Sequence, residues 1–237
     1  MVSRIRVCAE QAVRAGRTCE ARQCHLPVEK VSRYCRKHSH NRERYGDPLG
    51  RHIYKSELKA YKRLAAKYIA ANRAHSAIAA ALRWLHNLLY NSPAPPTHPN
   101  RRMSPQQRSL RFLSRLAKNG VTAEGTLCLI VALEMMREHD PFTFVSDAHY
   151  RAMLAHHVCR LAPGPFVAVW RGGIGGRKYD RLSVGTRNFL ASKVISSIGL
   201  VALGAARAIL KVETLENSLL KGVNVPINFQ PTTKGKP

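Results

Sequence analysis

The sequence predicts a mainly α-helical fold with a small cysteine- and histidine-bearing unit near its N-terminal end. Apolar residues recur at three- and four-residue steps through most of residues 54–220, the signature of helices with one buried face. Serine, threonine and proline stand where those patterns begin, and Gly, Asn-Gly or Pro where they end. Only residues 166–182 change register, with an apolar run and a glycine-rich stretch that read as one short β-hairpin.

Residues 1–50 form the first unit. Cys19-x4-Cys24 is followed, after ten residues, by Cys35-x2-His38. Three thiols and one imidazole at those spacings suit a tetrahedral zinc ion, whose bonds of about 2.0–2.3 Å need four converging ligands. So short a segment buries too little apolar surface to fold alone, and a structural Zn2+ supplies what is missing. Cys35 and His38 stand three apart, so a helix starting there projects both from one face. Cys8, His25 and His40 compete for ligand positions, with Cys8 as an alternative to Cys19 in a shifted set. Gly46-Asp47-Pro48 is a turn signal that closes the unit.

Residues 51–90 read as one long basic helix, from about Tyr54 to Tyr90, with Ser56 in the N-cap position. Leu58, Tyr61, Leu64, Ala65, Tyr68 and Ile69 mark its apolar face, and Lys59, Lys62, Arg63, Lys67 and Arg73 the opposite one. Residues 91–103 contain four prolines and no periodicity, and are expected to link two domains. In the helical domain, residues 104–222, Ser104-Pro105 starts a helix that stops at Asn119-Gly120. Thr122 caps the next, which ends before Asp140-Pro141, and Ser146 caps a third that runs to Leu161. A strand at Phe166–Trp170, a glycine-rich loop and a return strand at Lys178–Leu182 make the hairpin. A last helix spans Val184 to Leu220, and residues 223–237 form a tail. The uncharged run Val194–Ala206, thirteen residues between Lys193 and Arg207, falls short of the roughly twenty a membrane span needs and reads as a core helix. Cys128 and Cys159 lie in apolar helical patterns, as buried small hydrophobes do.

Charge points to the partner. The 237 residues hold 39 Lys+Arg against 14 Asp+Glu, a formal net charge of +25. Residues 1–63 and 148–237 each carry +10, and residues 64–147 carry +5. Such an excess is most easily tolerated against a polyanion, and nucleic acid is the commonest. The first residues show no secretory pattern, because Arg4, Arg6 and Arg14 interrupt every apolar run, so an intracellular location is expected.

The C-x4-C and C-x2-H pairs, followed by a basic helix and Tyr-Gly-Asp-Pro, resemble the short zinc-binding module of phage and mobile-element proteins. That module often stands at the N-terminus of HNH-type endonucleases. The resemblance covers about thirty residues. It implies that Cys19, Cys24, Cys35 and His38 bind zinc and that a helix bearing Arg36, Lys37, Arg42 and Arg44 lies against DNA.

The expected function is therefore zinc-dependent folding of a nucleic-acid-binding protein, DNA before RNA, acting through phosphate contacts. The contact residues are Arg33, Arg36, Lys37, Arg42 and Arg44, with Lys59, Lys62 and Arg63 on the following helix. In the glycine-rich loop Arg171, Arg177 and Lys178 would meet phosphates, with Trp170 and Tyr179 beside them to stack on bases. No membrane contact is expected, and the helical domain offers a surface for self-association or a protein partner. Two alternatives stand beside this: a divergent metal-dependent nuclease, and a structural protein packed against a genome or ribosomal RNA. For a nuclease the sequence offers Asp147, His149, His156 and His157, or Glu134, Glu138 and Asp140, and no recognisable nuclease motif. No catalytic residue is assigned.

Overall fold

The computed structural model describes residues 16–28, 32–93, 103–163, 166–167, 176–177 and 182–220, with side chains along the last helix described to Val212. The protein is mainly helical, as its periodicity predicts. In chain order the helices are α1 (Arg36–Tyr45), α2 (Lys59–Ala71), α3 (Ser76–Tyr90), α4 (Pro105–Lys118), α5 (Ala123–His139), α6 (Asp147–Cys159) and α7 (Val184–Leu220). Between α6 and α7, β1 (Phe166–Val167) pairs antiparallel with β2 (Gly176–Arg177), Phe166 opposite Arg177. The return strand thus comes earlier than the expected Lys178–Leu182.

Helix α5 is the centre of the fold. Its stretch Thr-Leu-Cys-Leu-Ile-Val-Ala-Leu-Glu-Met-Met is apolar all round, and every residue from Thr126 to Met136 is buried. A helix without a polar face needs neighbours on all sides, and α2, α3, α6 and α7 pack around it. Helix α7 lies against α4, α5 and α6 through Leu190, Ala191, Val194, Ile198, Ala202, Ala205, Ala206 and Ile209, which follow helical spacing on one buried face. By length and composition Val184–Val212 suffices to cross a membrane, with mean hydropathy 1.8 over its most apolar window. That differs from the expectation drawn from its uncharged run, because the helix continues well past Lys193 and Arg207.

Three of the four capping signals hold, at Ser104, Thr122 and Ser146. Ser104 and Gln107 exchange side-chain and backbone hydrogen bonds at 2.9 and 3.2 Å, a capping box with Pro105 at the first helical position. Thr122 Oγ1 accepts from the Gly125 N–H (3.0 Å), and Ser146 Oγ from the His149 N–H (3.2 Å). Two expectations fail. The single helix over residues 54–90 is two helices, α2 and α3. Asn72 closes α2, its backbone N–H and its Nδ2 both donating to the Tyr68 carbonyl (3.0 and 2.9 Å). Extended backbone at His75 then restarts the chain as α3. Ser56 is not an N-cap: α2 begins at Lys59, and Glu57 instead takes the Tyr54 N–H (2.6 Å) and pairs with Arg51 (2.7 Å).

The proline-rich segment does not divide the core. Ile53, Leu58, Ile69, Leu85 and Leu89 belong to the same buried cluster as Leu116, Leu133, Met153 and Ile198. The described residues of 51–90 and 104–212 therefore fold around one centre, since α5 needs α2 and α3 to cover it.

Buried carboxylate and imidazoles give this core a pH dependence. Glu134 is buried, and the Tyr150 hydroxyl donates to its Oε1 (2.5 Å). Burial raises its pKa against the opposing pull of Tyr150 and Arg137. Glu134→Gln keeps an acceptor for Tyr150 without burying charge, so it is expected to stabilise the fold by about 1 kcal/mol at pH 7 in urea unfolding. Burial, reinforced by Arg160, holds His156 down to about 3, and burial with His52 holds His157 down to about 4. Folded values below the unfolded 6.5 mean that the stabilisation is complete above that pH and is lost as pH falls toward them. Each imidazole then weakens the fold by up to about 1.4 kcal/mol per pH unit. The urea midpoint should drop steeply between pH 6 and pH 4 on this ~1.4 kcal/mol scale, and His157→Gln should flatten the drop.

Candidate metal centre

Among the described residues, one group of side chains converges as metal ligands do. Cys19, Cys24, Cys35 and His38 place their ligand atoms within 4.8 Å of one another and could hold a metal ion. The chain builds this locally. Thr18 bridges Pro27, the Cys19 N–H donates to the Leu26 carbonyl (3.0 Å), and the Val28 N–H donates to the Arg17 carbonyl (3.1 Å). Within this loop the Cys24 N–H donates to the Ala21 carbonyl (3.1 Å), and Gln23 takes a left-handed φ of 59°. That tight knuckle brings Cys19 and Cys24 to one side. The other pair sits at the start of α1, with Cys35 in the N-cap position and His38 on the first turn. The Glu20 N–H donates to the Arg33 carbonyl (3.0 Å) and ties the two halves together.

The distances test the fit. Cys19 Sγ and Cys35 Sγ lie 3.3 and 3.4 Å from His38 Nδ1, and Cys24 Sγ lies 3.9 Å from Cys35 Sγ. Ligands bonded at about 2.0–2.3 Å to one tetrahedral ion stand roughly 3.3–3.8 Å apart, and the three separations match that to about 0.1 Å, so the donor set is spaced for a single ion. The sulfur separation excludes a disulfide, whose bond is about 2.05 Å. Burial opposes ionisation of Cys19, yet the N–H groups of Cys35 and Ala21 and the side chains of His38 and Cys24 bring its thiol down to about 6. Cys24 moves the other way. The Leu26 N–H favours its thiolate, but burial and the neighbouring Cys19 and Cys35 sulfurs outweigh that and raise it.

The small core around this centre is Cys19, Ala21, Val28 and Cys35, flanked by Cys24 and Tyr34. Half of those residues are the thiols themselves, so among the described residues little apolar packing holds the unit apart from a shared ion. The competing ligands stay outside: His25 and His40 are exposed, and Cys8 lies outside the described residues.

The expected contact residues divide into three sets. Arg33, Arg36, Lys37, Arg42 and Arg44 are exposed on or beside α1, with Arg42 over the Tyr34 ring at 5.5 Å. Arg36, His40 and Arg44 recur at four-residue steps and, with Lys37, line the face turned away from His38. On α2, Lys59 and Arg63 are exposed at a four-residue step and Lys62 is half-buried. The side chains of Arg171, Arg177 and Lys178, with Trp170 and Tyr179, lie outside the described residues.

Five of the seven residues offered for a nuclease site, Glu134, Glu138, Asp140, Asp147 and His149, have structural partners, whereas the buried Nε2 atoms of His156 and His157 have no hydrogen-bond partner among the described residues. Buried His149 accepts from the Val145 N–H at Nδ1 (3.3 Å), which leaves Nε2 to donate to the Arg51 carbonyl (2.8 Å). Asp147 pairs with Arg137 (2.7 Å) and Glu138 with Arg207 (2.7 Å). Asp140 accepts from Thr143 Oγ1 (2.6 Å) and the Phe142 N–H (3.0 Å), closing the turn after α5.

Sequence reasoning missed how the metal unit is anchored. Gly46, at φ 83°, ends α1 against α6, where a Cβ would collide with the Ala148 carbonyl oxygen. Asp47 Oδ2 accepts from Ser146 Oγ (2.7 Å), ninety-nine residues away, and Arg187 Nη1 donates to the Arg44 carbonyl. The Gly-Asp-Pro turn was visible as a stop signal, but its partner helix was not. Gly46→Ala combines a left-handed backbone with that collision, and should cost at least about 2 kcal/mol of stability by chemical unfolding.

No protein-family model, curated protein or solved structure matches the chain.

Proposed function

We propose that the chain is a zinc-containing nucleic-acid-binding protein of phage or mobile-element type, contacting mainly phosphates. The observation that carries the reading is the convergence of Cys19, Cys24, Cys35 and His38 at the start of a helix whose outer face is basic. Zn2+ is the ion that three thiols and one imidazole at tetrahedral spacing favour, and four protein ligands leave no open position for catalysis. Three thiolates around a divalent ion leave one net negative charge, which the N-terminus of α1 helps to offset. The metal thus acts as a folding staple, and Arg33, Arg36, Lys37, Arg42 and Arg44 act as the phosphate-contacting surface, extended by Lys59, Lys62 and Arg63. The net charge of +25 supports a polyanionic partner inside a cell, with DNA ahead of RNA.

Fluorescence anisotropy with labelled duplex DNA, single-stranded DNA and RNA tests this reading. Binding that tightens steeply as salt is lowered is the expected result. No affinity for any of the three at low salt would end it.

A further inference from the structure

Where the N-terminal unit meets the helical core, the contact is built of histidines. His52, on the segment between α1 and α2, packs its ring against Tyr45 (centroids 6.2 Å apart), Tyr54 (4.9 Å), His156 (5.1 Å) and His157 (6.0 Å). His156 and His157, 5.6 Å apart on α6, have buried Nε2 atoms with no hydrogen-bond partner among the described residues. Earlier on α6, the fully buried His149 accepts from the Val145 N–H at Nδ1 (3.3 Å). Its Nε2 donates to the Arg51 carbonyl (2.8 Å), which ties the same segment to the core.

We propose that His52, His149, His156 and His157 form a pH-operated latch: while neutral they hold the N-terminal unit against α6, and proton uptake releases it before the core unfolds. The contacts demand neutral rings. Imidazolium rings at these separations repel one another, and a proton added to a buried Nε2 finds no acceptor. At His149 a second proton would point a donor at the Val145 N–H. Burial is the first cause that keeps all four below the ordinary imidazole range, with His156 at about 3 and His157 at about 4. Folded values below the unfolded 6.5 keep the latch closed above that pH and open it as pH falls toward them. The groups that act on His157 include His52, Ile53 and Lys55, all of the joining segment, so lifting that segment returns the ring to water. Asp47, Arg51 and Glu57 of the same segment also act on these rings. Glu43 and Arg44 of α1, Arg115 of α4, Arg160 at the C-cap of α6, Arg187 of α7 and the Cys159 thiol line a pocket of about 500 Å³ beside His52 and His156. Glu43, Arg115, Arg160 and Arg187 have interactions of their own, so the latch rests on the imidazoles and on no unpaired guanidinium.

Hydrogen exchange of the zinc-loaded full chain, read by mass spectrometry and corrected for intrinsic rates, tests the latch. Each proton taken up on opening favours the open form about tenfold per pH unit. Peptides over residues 46–52 should therefore lose protection by roughly ten- to a hundredfold per unit below about pH 6. Peptides over residues 127–133 of α5 should stay protected at the pH where residues 46–52 have lost their protection. His52→Phe keeps a ring in place without a titrating group, and His157→Gln removes a second titrating ring. Each should flatten the pH dependence at residues 46–52, by up to about tenfold per unit. Both variants retain the Cys19, Cys24, Cys35 and His38 cluster, so acid release of zinc affects them as it affects the wild type. The same pH dependence in wild type and both variants would overturn the latch, as would joint loss of protection by residues 46–52 and α5. Salt-dependent binding of nucleic acid at neutral pH is untouched by either outcome, so the latch and the binding reading fail separately.

Discussion

Replacing Cys35 with Ser is expected to abolish the proposed stoichiometric zinc binding and to unfold the described residues of the N-terminal unit, while the core built on α5 keeps its own cooperative transition. Cys35 is the best-placed residue for this test, because it belongs to the cluster that could hold the ion, is the N-cap of α1 and is one of the few buried residues described in the unit. Structural zinc contributes about 10–16 kcal/mol of apparent binding free energy to small modules at neutral pH, far more than so small an apolar cluster supplies. The main core contains none of the module's buried residues, so its thermal transition should move little. Limited trypsin digestion reads the difference: cleavage after Arg17, Arg22 and Arg33 is expected in the variant or with a chelator, and protection in the zinc-loaded protein. Equal protection with and without metal would contradict the staple.

Neutralising the outer surface of the module should change how binding depends on salt more than it changes fold. Arg33, Arg36 and Lys37 are exposed, and none belongs to the Cys19, Cys24, Cys35 and His38 cluster. Each phosphate contact contributes roughly 0.9 to the slope of log affinity against log salt concentration. The triple Gln variant is therefore expected to reduce the magnitude of that slope by about 2–3 and to weaken low-salt binding by roughly a hundredfold. Zinc content and melting temperature should remain those of the wild type. A slope unchanged by the triple variant would remove α1 from the contact surface. The matching Lys59 and Arg63 variant then measures the share carried by α2.

The elements most legible in the sequence are those set by local rules. Ser104, Thr122 and Ser146 cap helices because a hydroxyl beside an apolar pattern has a nearby N–H to accept. Four ligand positions within twenty residues are likewise a local pattern, and the structure brings that set together. The break at residues 72–75 escaped because alanines on either side blur the apolar pattern, although the buried face changes there, Ile69 and Ile78 falling on opposite sides of a continuous helix, and the stop rests on one asparagine side chain. The shared core across the proline-rich segment escaped because linker composition says nothing about whether the flanking helices pack on each other. The pocket whose described lining includes Arg44, Arg115, Arg160 and Arg187 was the least visible feature. Arg44, Arg115 and Arg187 come from α1, α4 and α7 and Arg160 from the C-cap of α6, and each arginine alone reads as one more surface charge.

The central claim is that Cys19, Cys24, Cys35 and His38 hold one structural zinc ion. X-ray absorption at the zinc edge, with elemental analysis of the purified full chain, tests it most directly. The expected result is one zinc per chain with three sulfur ligands at about 2.3 Å and one nitrogen at about 2.0 Å. Protein that folds with no stoichiometric metal, or a shell with fewer sulfurs and more nitrogens, would contradict it.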